Sequence, residues 1–214
     1  MKIEHEHIFF NSNELALECV LSYPEGVSSC PGVVVCHPHP LYGGDMNNNV
    51  VLGIKSAFQA EDLVILRFNF RGVNLSEGKY DEGEGEINDV IAAVNFLKIQ
   101  KLVDPTRLFL VGYSFGAWIG LRAAFKIDNL KAIAGIAPPF GIYDFKFLER
   151  ITLPIFLMCG DIDTICNKNE LETTFDKISS SKKKTIVSGA DHFFGGREGE
   201  VGEEIIKFFK PYFD

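Results

Sequence analysis

The chain has few basic residues for its length of 214. Lysine and arginine total 21 against 29 aspartates and glutamates, which gives a formal net charge of −8 and a pI of about 5.2. Nucleic-acid-binding proteins use clustered lysine and arginine to neutralise phosphates. The one short basic run, Lys182-Lys183-Lys184, is interpreted as a solvated turn before a strand. We therefore predict no nucleic-acid partner.

Long apolar runs and an export signal are also missing from the sequence. Charged residues, glycine or proline interrupt every apolar stretch well before the roughly 20 residues needed to cross a bilayer. The segment from Met1 to His7 carries acidic residues where a secretory signal would have a basic region followed by an apolar run. We expect a soluble, cytoplasmic protein without a membrane span.

Metal-ligand patterns are sparse. The five cysteines are an odd number without paired ligand spacing, which favours neither a disulfide framework nor a zinc site. His37 and His39 are two residues apart, a spacing that metal ligands can have, yet no carboxylate or cysteine pattern accompanies them. The sequence predicts no metal and no organic cofactor.

Apolar runs and helical patterns alternate along the chain. Two alternating stretches, 3–10 and 15–22, predict an N-terminal hairpin with a turn at Asn11-Ser12-Asn13. Short apolar runs typical of strands buried on both faces then alternate with stretches of helical spacing. This order predicts βαβ units, with helices on both faces of a mainly parallel sheet. No linker divides the sequence, so we predict one domain over residues 1–214. The predicted strands are 32–36, 63–68, 108–111, 132–136, 155–158 and 185–187, and the predicted helices are 49–61, 86–101, 115–126, 169–178 and 200–209.

The most informative motif is Gly112-Tyr113-Ser114-Phe115-Gly116, which matches Gly-x-Ser-x-Gly between a predicted strand and a predicted helix. A sharp strand-to-helix turn at the serine needs small residues two positions to either side, so that the helix can pass close to the strand. Such a turn exposes the serine hydroxyl and lets the Phe115 amide donate to a developing oxyanion. The alternative is that Ser114 merely caps the helix. The context favours a nucleophile.

A serine nucleophile needs a base and an acid that orients the base. His192 follows the last predicted strand, which would return it to the same edge of the sheet. The acid would come from Gly160-Asp161-Ile162-Asp163, at the end of another strand. This pattern resembles the acid turn of hydrolases in which the second aspartate faces the histidine, so we favour Asp163 as the acid and assign Asp161 to shaping the turn.

The loop that begins with His37 follows an early strand, where a second oxyanion donor is needed. Pro38 and Pro40 have no amide hydrogen. The candidate donors are therefore the amides of His39 and Leu41, and the sequence leaves both open.

Together these motifs resemble the small, lid-poor bacterial α/β-hydrolases related to dienelactone hydrolases and short-chain esterases. The resemblance covers nearly the whole chain, and the order Ser114, Asp163, His192 agrees with it. It implies an α/β-hydrolase fold with no large lid. One departure is the acid turn, which in such proteins often continues to a proline but here reads Thr164-Ile165-Cys166-Asn167. The residues that carry the resemblance are 37–44, 67–78, 112–116, 160–163 and 191–194.

We therefore predict a serine hydrolase that cleaves small or accessible carboxylic esters through an acyl-enzyme. Only the segment from Pro138 to Leu153 separates two predicted strands, which leaves no room for a large lid. Its aromatic part, 138–147, could form a pocket wall, pack into the core or make a dimer contact. A thioesterase or peptidase with the same three residues is an alternative, as is a noncatalytic binding protein that retains the fold. The expected partner is a small ester-like substrate, and the expected assembly is a monomer or homodimer.

Overall fold

One eight-stranded sheet organises the chain, and the computed structural model describes residues 2–213 of it. Strands β3 to β8 run parallel to one another, whereas β1 and β2 form an antiparallel hairpin that joins the sheet through β4. The order across the sheet is β1-β2-β4-β3-β5-β6-β7-β8. The strands are β1 (Ile3–Ser12), β2 (Leu15–Pro24), β3 (Cys30–Cys36), β4 (Val64–Phe68), β5 (Val103–Tyr113), β6 (Leu130–Ile136), β7 (Ile155–Gly160) and β8 (Lys182–Val187). The predicted mainly parallel sheet with an N-terminal hairpin is confirmed.

Helices cover both faces of the sheet, as predicted. They are α1 (Asn49–Gln59), α2 (Glu84–Lys98), α3 (Phe115–Ala123), α4 (Lys168–Lys177) and α5 (Glu198–Phe209). Short 3₁₀ turns occur at Pro40–Tyr42, Ala124–Lys126, Lys146–Arg150 and Lys210–Tyr212. Across residues 2–213 no helix has the length and apolar character required to cross a membrane.

Alternation along each central strand divides the core into two layers. In β5, Leu108 and Leu110 enter the cluster that packs against α2, α3 and α4, while Phe109 and Val111 enter the cluster under α1 and α5. Successive side chains of a strand point to opposite faces, so a strand covered on both sides must be apolar throughout. This is why residues 108–111 of β5 form a continuous apolar run.

Two local predictions are wrong. The lysine run 182–184 lies within β8 and is not a turn. The sheet ends at β8, where lysines discourage pairing with another chain. Their ammonium groups also lie over aromatic rings: Lys182 and Lys184 over Phe175 at 4.8 and 4.9 Å from the ring centroid. Lys183 also pairs with Glu204 at 3.2 Å.

The hairpin turn is displaced toward the C-terminus because β1 continues through Ser12. The turn falls at Asn13 and Glu14, and Asn13 has a φ of 54°, which asparagine tolerates well. Ser12 is fully buried and its hydroxyl donates to Asp89 at 2.7 Å. A tertiary hydrogen bond therefore extends the strand beyond the local turn signal.

A buried ion pair anchors the loop between β4 and α2. Arg71 donates from Nε to Asp89 Oδ2 at 3.0 Å and from Nη2 to Oδ1 at 2.8 Å, and the Asp89 side chain is fully buried. Bidentate pairs of this kind add geometric specificity as well as interaction energy. The loop that they hold reaches the edge of the sheet where β5 ends.

Candidate active site

Ser114 stands on a strained turn between β5 and α3. Its backbone has φ 54° and ψ −120°, a region that residues with a side chain rarely adopt. A Cβ on Gly112 would lie 2.2 Å from the Gly116 carbonyl oxygen, and a Cβ on Gly116 would lie 2.5 Å from the carbonyl oxygens of both Cys36 and His37. Both glycines are thus required by close backbone approach, as the motif predicts.

The Ser114 hydroxyl does not cap α3. Its Oγ lies 2.8 Å from Nε2 of His192, and Ser114 and His192 are 8% and 5% exposed. On the other side of the imidazole, Nδ1 lies 2.9 Å from Oδ2 of Asp163, whose side chain is fully buried. A neutral imidazole with its proton on Nδ1 satisfies both contacts, because Nδ1–H then donates to the carboxylate and Nε2 accepts from the serine. The three residues form one hydrogen-bonded chain.

The two aspartates of the turn after β7 have different partners. Asp163 Oδ1 accepts from the amides of Ile165 and Cys166, both at 2.8 Å. Asp161 is exposed and its Oδ1 accepts from the Gly189 amide at 2.6 Å. The structure therefore places Asp163 against the histidine and Asp161 on the backbone of the neighbouring loop. Two backbone amides hold the Asp163 carboxylate in a turn that has no proline.

Tyr113 links His192 to the turn that carries Ser114, a contact that the sequence does not predict. Its Oη donates to the backbone carbonyl of His192 at 2.9 Å, and the side chain is buried. Burial, together with the nearby Asp163 and Asp191 carboxylates, raises the pKa of this phenol, so it remains a donor. The only sequence signal is its position inside the Gly-x-Ser-x-Gly motif.

The loop after β3 lies against the start of α3 through the Gly116 contact. The Leu41 amide donates to Nδ1 of the His39 ring at 3.2 Å. Among residues 2–213, the amides of His39 and Phe115 have no protein acceptor. The two predicted donors in this loop therefore differ: the Leu41 amide already donates a hydrogen bond, whereas the His39 amide has no acceptor among the described residues.

His37 is fully buried, and both of its ring nitrogens are engaged. Nδ1 donates to the Pro38 carbonyl at 2.6 Å, while Nε2 accepts from the Phe70 amide at 3.0 Å. Burial lowers the pKa of His37 to about 4, so the ring is neutral at physiological pH. With no free nitrogen, His37 cannot pair with His39 as a metal ligand. Its role is to join the loop after β3 to the loop after β4.

An aromatic surface extends from Phe115. The His39 ring lies 4.7 Å from the Phe115 ring, with Tyr80 and Tyr143 farther out at 5.9 and 6.3 Å. Tyr143 stacks on Trp118 at 4.0 Å with an interplanar angle of 9°. The aromatic segment 138–147 thus divides: Phe140 and Phe145 are buried in the core, whereas Tyr143 faces this surface and Ile142 is exposed.

Comparison with known proteins places the chain among hydrolases. A sequence profile of the dienelactone hydrolase family matches residues 72–207. An uncharacterized protein of Rickettsia prowazekii is 34% identical over 207 residues, which cover 92% of this chain and 86% of that one. Two solved structures are also similar. An alpha-beta serine hydrolase homologue from Coxiella burnetii has a TM-score of 0.86 at 33% identity, covering 94% of this chain and 96% of that one. A serine hydrolase without lid from Xanthomonas campestris has a TM-score of 0.87 at 28% identity, with coverages of 98% and 95%.

The sheet, the absence of an α-helix between β6 and β7, and these similarities agree with one another. The chain therefore belongs to the dienelactone hydrolase family, and it is a hydrolase with the lidless α/β serine hydrolase fold.

Proposed function

We propose that the protein is a serine esterase that cleaves small or accessible carboxylic esters through an acyl-enzyme on Ser114. The observation that carries this proposal is the hydrogen-bonded chain from Ser114 Oγ through His192 to Asp163, with contacts of 2.8 and 2.9 Å. A serine hydroxyl is a weak nucleophile until a base removes its proton. The arrangement supplies that base at the required distance.

In the first step, Ser114 Oγ attacks the ester carbonyl carbon and His192 Nε2 takes the hydroxyl proton. Asp163 stabilises the resulting imidazolium through Nδ1–H. The imidazolium then gives its proton to the departing alkoxide, which leaves as an alcohol. Water attacks the acyl-enzyme in the second step, again with His192 as base, and the carboxylic acid is released.

For the oxyanion we assign the amides of Phe115 and His39. Both amides lack a protein acceptor, whereas Leu41 already donates to the His39 ring. Phe115 is the first residue of α3, so the partial positive charge at the start of the helix also stabilises an oxyanion near its amide. One such donor is worth about 3 kcal/mol of transition-state stabilisation in serine hydrolases.

The test is hydrolysis of 4-nitrophenyl acetate and butyrate, with fluorophosphonate labelling measured in parallel. Ser114→Ala should lose both turnover and labelling, with kcat lower by about 10⁶-fold. Folded wild-type protein that is not labelled would refute Ser114 as nucleophile. Labelling without ester turnover would retain the nucleophile and reject esters as substrates, which would favour a thioester or peptide bond.

The two aspartates of the acid turn provide a matched pair. Asp163→Asn should lower kcat by about 10⁴-fold, because an amide no longer stabilises the imidazolium or selects the correct tautomer. Asp161→Asn removes the same charge two residues away and keeps an oxygen that accepts from Gly189, so we expect nearly wild-type kcat. Equal losses in both variants would contradict the assignment of Asp163.

A further inference from the structure

The exposed apolar side chains of the protein are concentrated around the proposed nucleophile. Among residues 2–213, nine large apolar side chains are exposed, and six of them lie in loops that follow the carboxyl ends of the parallel strands. Ser114 follows β5 at the same edge of the sheet. We call these six residues the apolar rim: Leu41, Tyr42, Leu75, Ile142, Ile162 and Phe193.

The apolar rim is continuous with the proposed oxyanion site on one side. Tyr42 is 87% exposed and its ring lies 4.8 Å from His39, whose ring in turn lies 4.7 Å from Phe115. On the other side, Ile162 and Phe193 line a cavity of about 200 Å³ beside the loop that carries His192. Apolar groups exposed around a reactive centre favour a substrate with an apolar body.

The same loops carry an excess of acidic side chains. Within residues 37–48, 69–83, 137–154, 161–167 and 188–197, six carboxylates have no cation within 4 Å among the described residues. They are Asp45, Glu77, Glu82, Asp144, Asp161 and Asp191.

Two of the five arginines and lysines in these loops are paired with carboxylates. Arg71 is paired with Asp89 at 2.8 Å, and Arg197 with Glu200 at 3.1 Å. Lys79, Lys146 and Arg150 have no carboxylate within 4 Å among residues 2–213, so six unpaired carboxylates face three unpaired cations. The electrostatic potential at the edge of the sheet around Ser114 is therefore negative, and it repels negatively charged groups of a substrate and attracts positively charged ones.

From these two features we infer that the site selects apolar esters that are neutral or positively charged and discriminates against esters that carry a negative charge. This inference rests on the proposed function and adds the charge and polarity of the substrate. We therefore expect slow hydrolysis of esters whose acyl group ends in a carboxylate or whose leaving group carries a phosphate. We attribute this selectivity to the summed charge of the loops.

The first experiment compares esters that differ only in charge. On the acyl side, 4-nitrophenyl hexanoate is paired with mono-4-nitrophenyl adipate. On the alcohol side, 3,3-dimethylbutyl butyrate is paired with butyrylcholine. A net excess of about three charges at roughly 10 Å through water should lower kcat/KM for the adipate about fivefold in 10 mM salt and about twofold in 150 mM salt. Butyrylcholine should be favoured over its neutral isostere, again more strongly at low salt.

Charge-removing variants test whether the loops cause the effect. The triple variant Glu82→Gln, Asp144→Asn, Asp161→Asn removes three of the six carboxylates and should reduce the discrimination against adipate by half or more. A control removes three exposed carboxylates at the opposite edge of the sheet, Glu25→Gln, Asp62→Asn and Asp128→Asn. The control should keep wild-type discrimination in 150 mM salt, because its charges lie at the opposite ends of the strands from Ser114 and the Debye length is then about 8 Å.

Two exposed isoleucines test the apolar rim. Ile142 is 64% exposed in the loop after β6, while Ile99 is 76% exposed after α2, outside the loops around Ser114. Ile142→Ser should lower kcat/KM for the hexanoate relative to the acetate about threefold, through lost apolar contact with the acyl chain. Ile99→Ser should leave that ratio unchanged.

Several outcomes would overturn the inference. Equal kcat/KM for hexanoate and adipate at low salt would refute charge selection, as would equal effects of the two triple variants. A preference for adipate that Lys146→Met abolishes would show that the acyl group lies in the cleft between the segment 140–149 and α4, where Lys146 is exposed. Failure of the proposed function is distinguishable, because then the neutral hexanoate itself would not be hydrolysed and Ser114 would not be labelled.

Discussion

The hydrogen bond from Tyr113 Oη to the His192 carbonyl offers a test of how the base is positioned. Tyr113→Phe removes one oxygen atom and leaves the ring in the core. The carbonyl then loses its donor in a buried setting, since Tyr113 is 2% exposed and His192 is 5% exposed. A buried acceptor left without a partner costs about 1–3 kcal/mol. The free energy of unfolding should fall by this amount.

Part of the effect should appear in catalysis. The carbonyl belongs to the same residue whose Nε2 lies 2.8 Å from Ser114 Oγ, so a displaced backbone moves the imidazole as well. A loss of 1.4 kcal/mol of transition-state stabilisation corresponds to about tenfold in rate. We expect kcat and the fluorophosphonate labelling rate to fall about tenfold, with KM changed less than twofold, because the phenol is buried and does not contact substrate.

The assays are urea unfolding and the labelling rate, both measured at a temperature where the variant is fully folded. Tyr23→Phe is the matched control, because its hydroxyl also bonds to a polar group, Glu6, but on the exposed hairpin. The control should change neither quantity. A Tyr113→Phe protein that loses stability yet labels at the wild-type rate would refute the positioning role and leave Tyr113 a purely structural residue.

Three further outcomes follow from the site and its supports. Ser114→Gly should be more stable than Ser114→Ala by about 1 kcal/mol in urea unfolding, because only glycine adopts φ 54°, ψ −120° without strain, and both should be inactive. His37 takes up a proton near pH 6.5 in the unfolded chain but only near pH 4 in the folded protein. Lowering the pH from 6.5 to 4 should therefore reduce the free energy of unfolding by up to about 3 kcal/mol. His37→Gln should flatten this pH dependence. Asp89→Ala should lower the free energy of unfolding by about 3–5 kcal/mol, because it leaves the largely buried Arg71 guanidinium without its bidentate partner. Lys177→Ala, which removes an exposed pair with Glu149, should cost less than about 1 kcal/mol.

The parts of the site that are set by local sterics could be predicted from the sequence. The glycines at 112 and 116 are required wherever a helix turns back this sharply on its strand, so their spacing identified the turn. The edge of the sheet at which Asp163 and His192 lie followed from parallel strands, because loops after such strands meet at one edge. These predictions depend only on the order of the elements along the sequence and on steric exclusion between backbone atoms.

Other features depend on contacts between distant segments, and the sequence could not reveal them. Tyr113 meets His192 across 79 positions of the chain, with no local pattern that marks the contact. The choice between the His39 and Leu41 amides depends on how the His39 ring folds back on its own loop. The lysines of β8 read as a turn because their strand is stabilised by rings and carboxylates from other elements.

The order of strands has a consequence for how the protein loses activity. Ser114 follows β5, which is paired on both sides, with β3 and β6. His192 instead follows β8, which lies at the end of the sheet and is only partly covered. Edge elements open locally at lower free energy than central ones. On heating, amide hydrogens of β8 should exchange with deuterium before those of β5, so His192 would move away while the turn that carries Ser114 is still folded.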